Sequence, residues 1–315
     1  MFNSYSNIVA AFHSEQGARP HQEDRCLLLP NVALAKHSIE VHLDAMAMST
    51  LQHFTIACIF DGHSGWRTSQ YLTQHFAPLL ISNEKFYNSK TLEAAVLETF
   101  VTVDANVCNM LRHEEDGSGA TGVVAIYDGR KHRFTVAGVG DSMCVVSRGG
   151  KAVTLNKQHR LHNNDPEIQR IVKAGGQVKN SRVNGILAVS RAFGDTQFKE
   201  FKENKTADTE KSLVIAVPDI TTEIITSGTE FCILASDGLW DMMSPQVAVS
   251  FVVYKLQKNG DLQKAAKELC LEAIKRGSID NVTVLILAFH TSGSGPNRVA
   301  AVGSSASSNG TTNKK

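Results

Sequence analysis

Two uninterrupted apolar runs, Phe54-Thr55-Ile56-Ala57-Cys58-Ile59-Phe60 and Phe231-Cys232-Ile233-Leu234-Ala235-Ser236, constrain this chain most, because each ends in an Asp-Gly pair, Asp61-Gly62 and Asp237-Gly238. Such runs read as buried strands, and a buried strand that stops at Asp-Gly delivers a carboxylate to the edge of a sheet, where glycine lets the backbone turn tightly and a ligand approach. Two more acidic pairs sit beside similar runs: Glu23-Asp24 before 24 to 30, and Asp280-Asn281 before Val282-Thr283-Val284-Leu285-Ile286-Leu287-Ala288-Phe289. One Asp-Gly pair alone is an ordinary turn dipeptide. Four acidic pairs at strand edges imply carboxylates collected from distant segments, which repel unless cations bind, and all-oxygen ligands suit Mg²⁺ or Mn²⁺.

Strand-like runs recur at 7 to 13, 24 to 30, 54 to 60, 121 to 127, 131 to 139, 143 to 148, 214 to 225, 230 to 236 and 282 to 289. Helical periodicity is carried by 91 to 111, where Leu92, Val96, Phe100, Val103, Val107 and Met110 form one stripe, and by 66 to 80 and 261 to 275. Ser244-Pro245 marks a further helix start. Clustered strands with helices interspersed in pairs predict an α+β architecture rather than a regular βαβ alternation.

The 315 residues carry 32 basic and 31 acidic side chains, so charge offers no footprint for nucleic acid or an anionic membrane. No apolar run nears the ~20 residues of a membrane span, Met1-Phe2-Asn3 lacks signal-peptide character, and Phe2 excludes N-myristoylation. The six cysteines show no C-x-x-C pair and lie partly in apolar runs, which predicts reduced thiols and a cytoplasmic or nuclear protein. Residues 291 to 315, rich in Ser, Gly, Asn and Thr, are expected to be a disordered tail.

In order and spacing, eight segments resemble the metal-dependent protein serine/threonine phosphatases of type 2C, the PPM family. They are Gly17 to Asp24, Phe60 to Gly65, Gly119 to Thr121, Gly140 to Ser142, Arg182 to Gly185, Leu187 to Asp195, Ala235 to Asp241 and Ser278 to Asn281. The resemblance implies a central β-sandwich of two mainly antiparallel sheets flanked by helices on both faces. It implies one catalytic domain over 1–290, with a flap subdomain at about 157–217. It further implies hydrolysis of phosphoserine and phosphothreonine by a hydroxide bridging two Mg²⁺ or Mn²⁺ ions, without a phosphoenzyme. The expected partners are phosphorylated proteins, and the expected state is a monomer.

Residue by residue, the resemblance makes Asp61 the bridging ligand, Gly62 a carbonyl ligand, and Asp237 and Asp280 ligands of the other ion. Glu23 and Asp24 would act through ordered water, and Asp141 with Asp237 would hold a weaker third ion. Arg19 and Arg182 would contact phosphate, the first as a guanidinium fork. His63 would protonate the leaving oxygen. A serine hydrolase elbow at Gly62-His63-Ser64-Gly65 fails because Trp66 stands where G-x-S-x-G needs glycine. A catalytically silent relative would lack a metal carboxylate, and none is missing.

Overall fold

The computed structural model describes residues 8–30, 53–202 and 207–289; the tail expected at 291–315 lies outside them. One antiparallel sheet has the order β1-β13-β12-β6-β7, built from β1 (Ile8–Glu15), β6 (Met143–Arg148), β7 (Lys151–Thr154), β12 (Thr229–Ala235) and β13 (Val282–Phe289). The other has the order β11-β5-β4-β3-β2, from β2 (Arg25–Leu29), β3 (Phe54–His63), β4 (Gly119–Asp128), β5 (Arg133–Val139) and β11 (Asp219–Ile224).

Alternation along each strand explains the continuous apolar runs. From β3, Ala57 and Ile59 face the other sheet, where they meet Cys232 and Leu234 of β12 and Leu285 and Leu287 of β13. The other side of β3, Ile56, Cys58 and Phe60, packs on helices α1 (Arg67–Ser82) and α2 (Leu92–Glu114) through Leu72, Phe76 and Phe100. Ile233 and Ile286 turn the opposite way, onto Val249, Val252 and Leu269 of the helices Pro245–Asn259 and Leu262–Lys275. The result is helix, sheet, sheet, helix, as expected. Each fully buried Ile, Leu or Phe contributes roughly 1.5–3 kcal/mol, so the sandwich is a stiff platform.

The helix Pro245–Asn259 starts where Ser244-Pro245 predicts, the Ser244 hydroxyl accepting the Val247 N–H. Helix α2 is, by length and composition, apolar enough to cross a membrane, contrary to the expectation that no stretch nears that size; half of that window is buried within the protein. Of the run at 214 to 225, only Asp219–Ile224 is a strand, and β7 is an edge strand that periodicity did not reveal. Between β7 and β11 come α3 (Asp165–Lys173), the two-residue strands β8 (Val178–Lys179), β9 (Arg182–Val183) and β10 (Phe193–Gly194), and a small core including Leu161, Ile171, Val183, Val189 and Val214. Strand β10 pairs with the start of β4, tying this segment to the sandwich.

Candidate active site

The Asp61-Gly62 pair is not a turn. Asp61, Gly62 and His63 continue β3 against Thr121, Ala120 and Gly119, because β4 runs on beside them. Asp61 is thereby held by a ladder rather than by a loop. Gly62 is required by close approach: a Cβ there would lie 2.6 Å from the Glu23 carbonyl oxygen. The second pair is not a turn either, since Asp237 opens the short helix α4 (Asp237–Trp240) after β12. At the last pair, Asn281 is a staple. Its Oδ1 accepts the Glu23 N–H at 2.8 Å, and its Nδ2 donates to the carbonyls of Gln16 at 2.7 Å and His21 at 3.0 Å. The Arg19 to Asp24 segment is thus fastened to the start of β13.

Carboxylate oxygens of Asp61, Asp141 and Asp237 lie within 4.8 Å of one another. They line a pocket of about 230 Å³ that also receives Arg19, Glu23, Gly62, His63, Arg182 and Asp280. Asp24 is placed differently, buried beneath the pocket, where its Oδ2 accepts the Ser236 hydroxyl at 2.8 Å and its Oδ1 has no donor. The crowding shows in the acidities. Burial, then the charges of Asp24, Asp237, Asp141 and Asp280, holds the Asp61 carboxyl well above the usual carboxylate range. Burial, then Asp141 and Asp241, pushes Asp237 up to about 8, and burial pushes Asp24 up to about 6. An all-oxygen set that cannot ionise comfortably, backed by an orphaned carboxylate oxygen, fits hard divalent cations.

Two arginines face these carboxylates. Arg19 donates from Nη2 to Asp280 Oδ2 at 2.6 Å and is half exposed, so the rest of its fork stays open to the pocket. Arg160 was not singled out from sequence. It reaches Asp141 at 2.7 Å, Asp237 at 3.1 Å and Asp241 at 2.7 Å, and lines an adjoining pocket of about 330 Å³ with Arg182. Asp241 was not singled out either, although it follows Asp237 by one helical turn, a signal that could have found it. Arg160 gave no such signal, because its partners are distant in sequence. Arg182, on β9, donates from Nη1 to the Ile186 carbonyl at 2.6 Å and reaches both pockets.

His63 Nε2 lies 2.8 Å from Asp195 Oδ2. Burial works against the imidazolium, but the charge of Asp195 and the hydrogen bond to it prevail, and the ring's pKa is raised.

The model of the family described as "Protein phosphatase 2C" matches residues 9–282. The chain is 38% identical over 234 residues to probable protein phosphatase 2C 59 of Oryza sativa subsp. japonica, covering 73% of this chain and 65% of that one. It is 39% identical over 234 residues to probable protein phosphatase 2C 69 of Arabidopsis thaliana, covering 73% and 60%. The chain therefore spans less than two thirds of these relatives' own length. Among solved structures, a C. elegans sex determining protein superposes with a TM-score of 0.78 at 25% identity, over 95% of this chain and 68% of that chain. A serine-threonine phosphatase 2C from Toxoplasma gondii superposes with a TM-score of 0.71 at 23% identity, over 89% and 94%, and shares the fold. Since the matched region runs through all four acidic pairs and both sheets of the sandwich, the chain belongs to the protein phosphatase 2C family.

Proposed function

We propose that the chain is a metal-dependent protein serine/threonine phosphatase whose catalytic unit spans 1–290, with 157–217 as a flap beside the pocket. The observation that carries this reading is the joining of Asp61, Asp141 and Asp237 with Arg19 and His63 on one pocket. Asp61, the Gly62 carbonyl, Asp237 and Asp280 would hold two Mg²⁺ or Mn²⁺ ions, with Glu23 and Asp24 orienting their waters. Bound there, the ions would neutralise phosphate charge and lower the pKa of water from 15.7 toward about 7.

The chain's own groups do the rest. Arg19 offers a planar fork for two phosphate oxygens while one of its nitrogens stays on Asp280. Arg182 supplies a second positive charge from the flap side. His63, whose pKa is raised by Asp195 against the effect of burial, gives a proton to the departing seryl or threonyl oxygen. The cysteines of the described segments are free and mostly buried, which supports a reducing compartment such as cytoplasm or nucleus.

Chelation is expected to abolish hydrolysis of a phosphothreonine peptide, and added Mn²⁺ or Mg²⁺ to restore it. Metal-independent turnover would end this reading. Asp141 and Asp237 would hold the weaker third ion. Asp141→Ala should therefore fold normally and bind two ions by calorimetry, yet turn over more slowly even at saturating metal. An unchanged rate, or a single bound ion, would remove Asp141 from that role.

A further inference from the structure

We propose that Asp195 is the positioning residue for His63, and that a buried ion pair between Asp104 of α2 and Lys199 holds Asp195 in place. The proposal rests on the reading of His63 as proton donor. Asp195 meets the ring through both oxygens, Oδ2 at 2.8 Å and Oδ1 at 3.0 Å from Nε2, and its side chain is 2% exposed. Its backbone is left-handed, φ 50°, after Gly194 at φ 69°. A non-glycine residue held in that region next to a candidate active site is a strained conformation that its surroundings must enforce.

The enforcement is visible. Asp104 Oδ1 accepts the Gly194 N–H at 3.0 Å and the Lys199 ammonium at 2.7 Å. The same ammonium donates to the Ala192 carbonyl at 3.0 Å, so the pair clamps both sides of the Gly194-Asp195 turn onto α2. Lys199 is fully buried and Asp104 nearly so. A buried ion pair contributes little net stability compared with apolar packing, whereas it fixes geometry sharply; here the geometry it fixes ends at His63. The neighbouring glycines make room for it. A Cβ on Gly119 would lie 2.2 Å from Asp195 Oδ2 and 2.4 Å from His63 Nε2, and one on Gly194 would lie 2.5 Å from the Ser118 carbonyl oxygen.

The chemical consequence concerns which nitrogen carries the transferable proton. Nε2–H is committed to Asp195, so the proton that moves is the one on Nδ1 of the imidazolium. As the P–O bond breaks, its electron pair stays on the seryl or threonyl oxygen. That oxygen takes the Nδ1 proton; water's oxygen bonds phosphorus, one of its protons leaving to solvent and the other staying on the phosphate; and a neutral imidazole remains with Nε2–H still on Asp195, to be reprotonated from solvent.

The test uses the full chain with Mn²⁺ and two substrates, a phosphothreonine peptide and an aryl phosphate whose leaving group needs little protonation. Asp195→Asn and Lys199→Met are each expected to lower kcat for the peptide about 10- to 100-fold more than for the aryl ester, with KM little changed. The double variant should lose no more than Asp195→Asn alone, since both act through one carboxylate. If Lys199→Met does not fold, Asp104→Asn, which keeps an acceptor for the Gly194 N–H, takes its place. Equal losses on both substrates for Asp195→Asn, with His63→Gln still selective for the peptide, would overturn the positioning role and leave His63 as the acid. Equal losses for His63→Gln would overturn both. Losses that multiply in the double variant would remove the Asp104–Lys199 pair from the role.

Discussion

Asp61→Asn is expected to lower metal-supported turnover about 10³-fold or more while raising the melting temperature of the metal-free protein. The first effect follows from the several kcal/mol of barrier that bound cations supply, at about 1.4 kcal/mol per tenfold in rate. The second follows from the surroundings of Asp61. Among the described residues no lysine or arginine pairs with it, and four other carboxylates raise its pKa beyond the effect of burial. Beneath it, Asp24 Oδ1 is buried without a donor, which asparagine's amide nitrogen can supply.

The sign of the pH dependence is fixed by the same groups. A carboxyl whose native pKa is raised binds a proton that the unfolded chain has released near pH 4, so its contribution to stability is full below that pH and is lost as pH rises through the native value. With Asp24 at about 6, Asp237 at about 8 and Asp61 raised as well, metal-free protein should melt at progressively lower temperature from about pH 4 to about pH 8. Bound metal should flatten this slope, and Asp61→Asn should flatten it in part. Thermal denaturation with and without chelator at pH 5 and pH 8 measures both. Identical slopes with and without metal would show that these carboxylates are compensated by something other than cations.

The buried strands were legible from their continuous apolar runs, while the two-sheet sandwich came from the family resemblance; the runs are continuous because β3 and β12 meet a sheet on one side and a helix pair on the other. The acidic pairs were legible as types but not as geometry. Asp-Gly reads as a turn in isolation, yet Asp61 and Gly62 remain in the ladder because Ala120 and Thr121 continue β4 beside them, and Asp237 starts a helix. Asn281 was read only as the neighbour of Asp280 in an acidic pair, whereas its side chain binds three backbone groups far away in sequence. Arg160 was hidden for a related reason. Its contacts to Asp141 and Asp237 span 19 and 77 residues, within a polar stretch that carries no periodicity. His63 and Asp195 are 132 residues apart, and the pairing of β10 with β4, fastened by the Asp104–Lys199 pair, brings them together.

Gly238→Ala is expected to damage stability and turnover together, although glycine is not needed there for backbone conformation. Its φ is not in the left-handed region, and alanine is the better helix former. The obstacle is contact. A Cβ on Gly238 would lie 2.0 Å from the Asn281 carbonyl oxygen and 3.0 Å from its carbon, and backbone atoms cannot rotate aside. Either α4 or the start of β13 must retreat, which separates Asp237 from Asp280 and loosens the Asn281 staple on Glu23. Overpacking of this kind costs about 1–3 kcal/mol, and a shift of about 1 Å in a catalytic group costs about 10²-fold in rate. Gly228→Ala provides the control, since a Cβ there meets nothing within 4 Å and its φ is also outside the left-handed region. Reduced unfolded-state entropy should make Gly228→Ala neutral or stabilising by up to about 1 kcal/mol, with full turnover. Melting curves, metal titrations and turnover of the two variants separate a local clash from a general effect of alanine. If Gly238→Ala melts like the parent chain and keeps its metal-dependent rate, the approach of α4 to Asn281 can relax freely and does not set the spacing of Asp237 and Asp280.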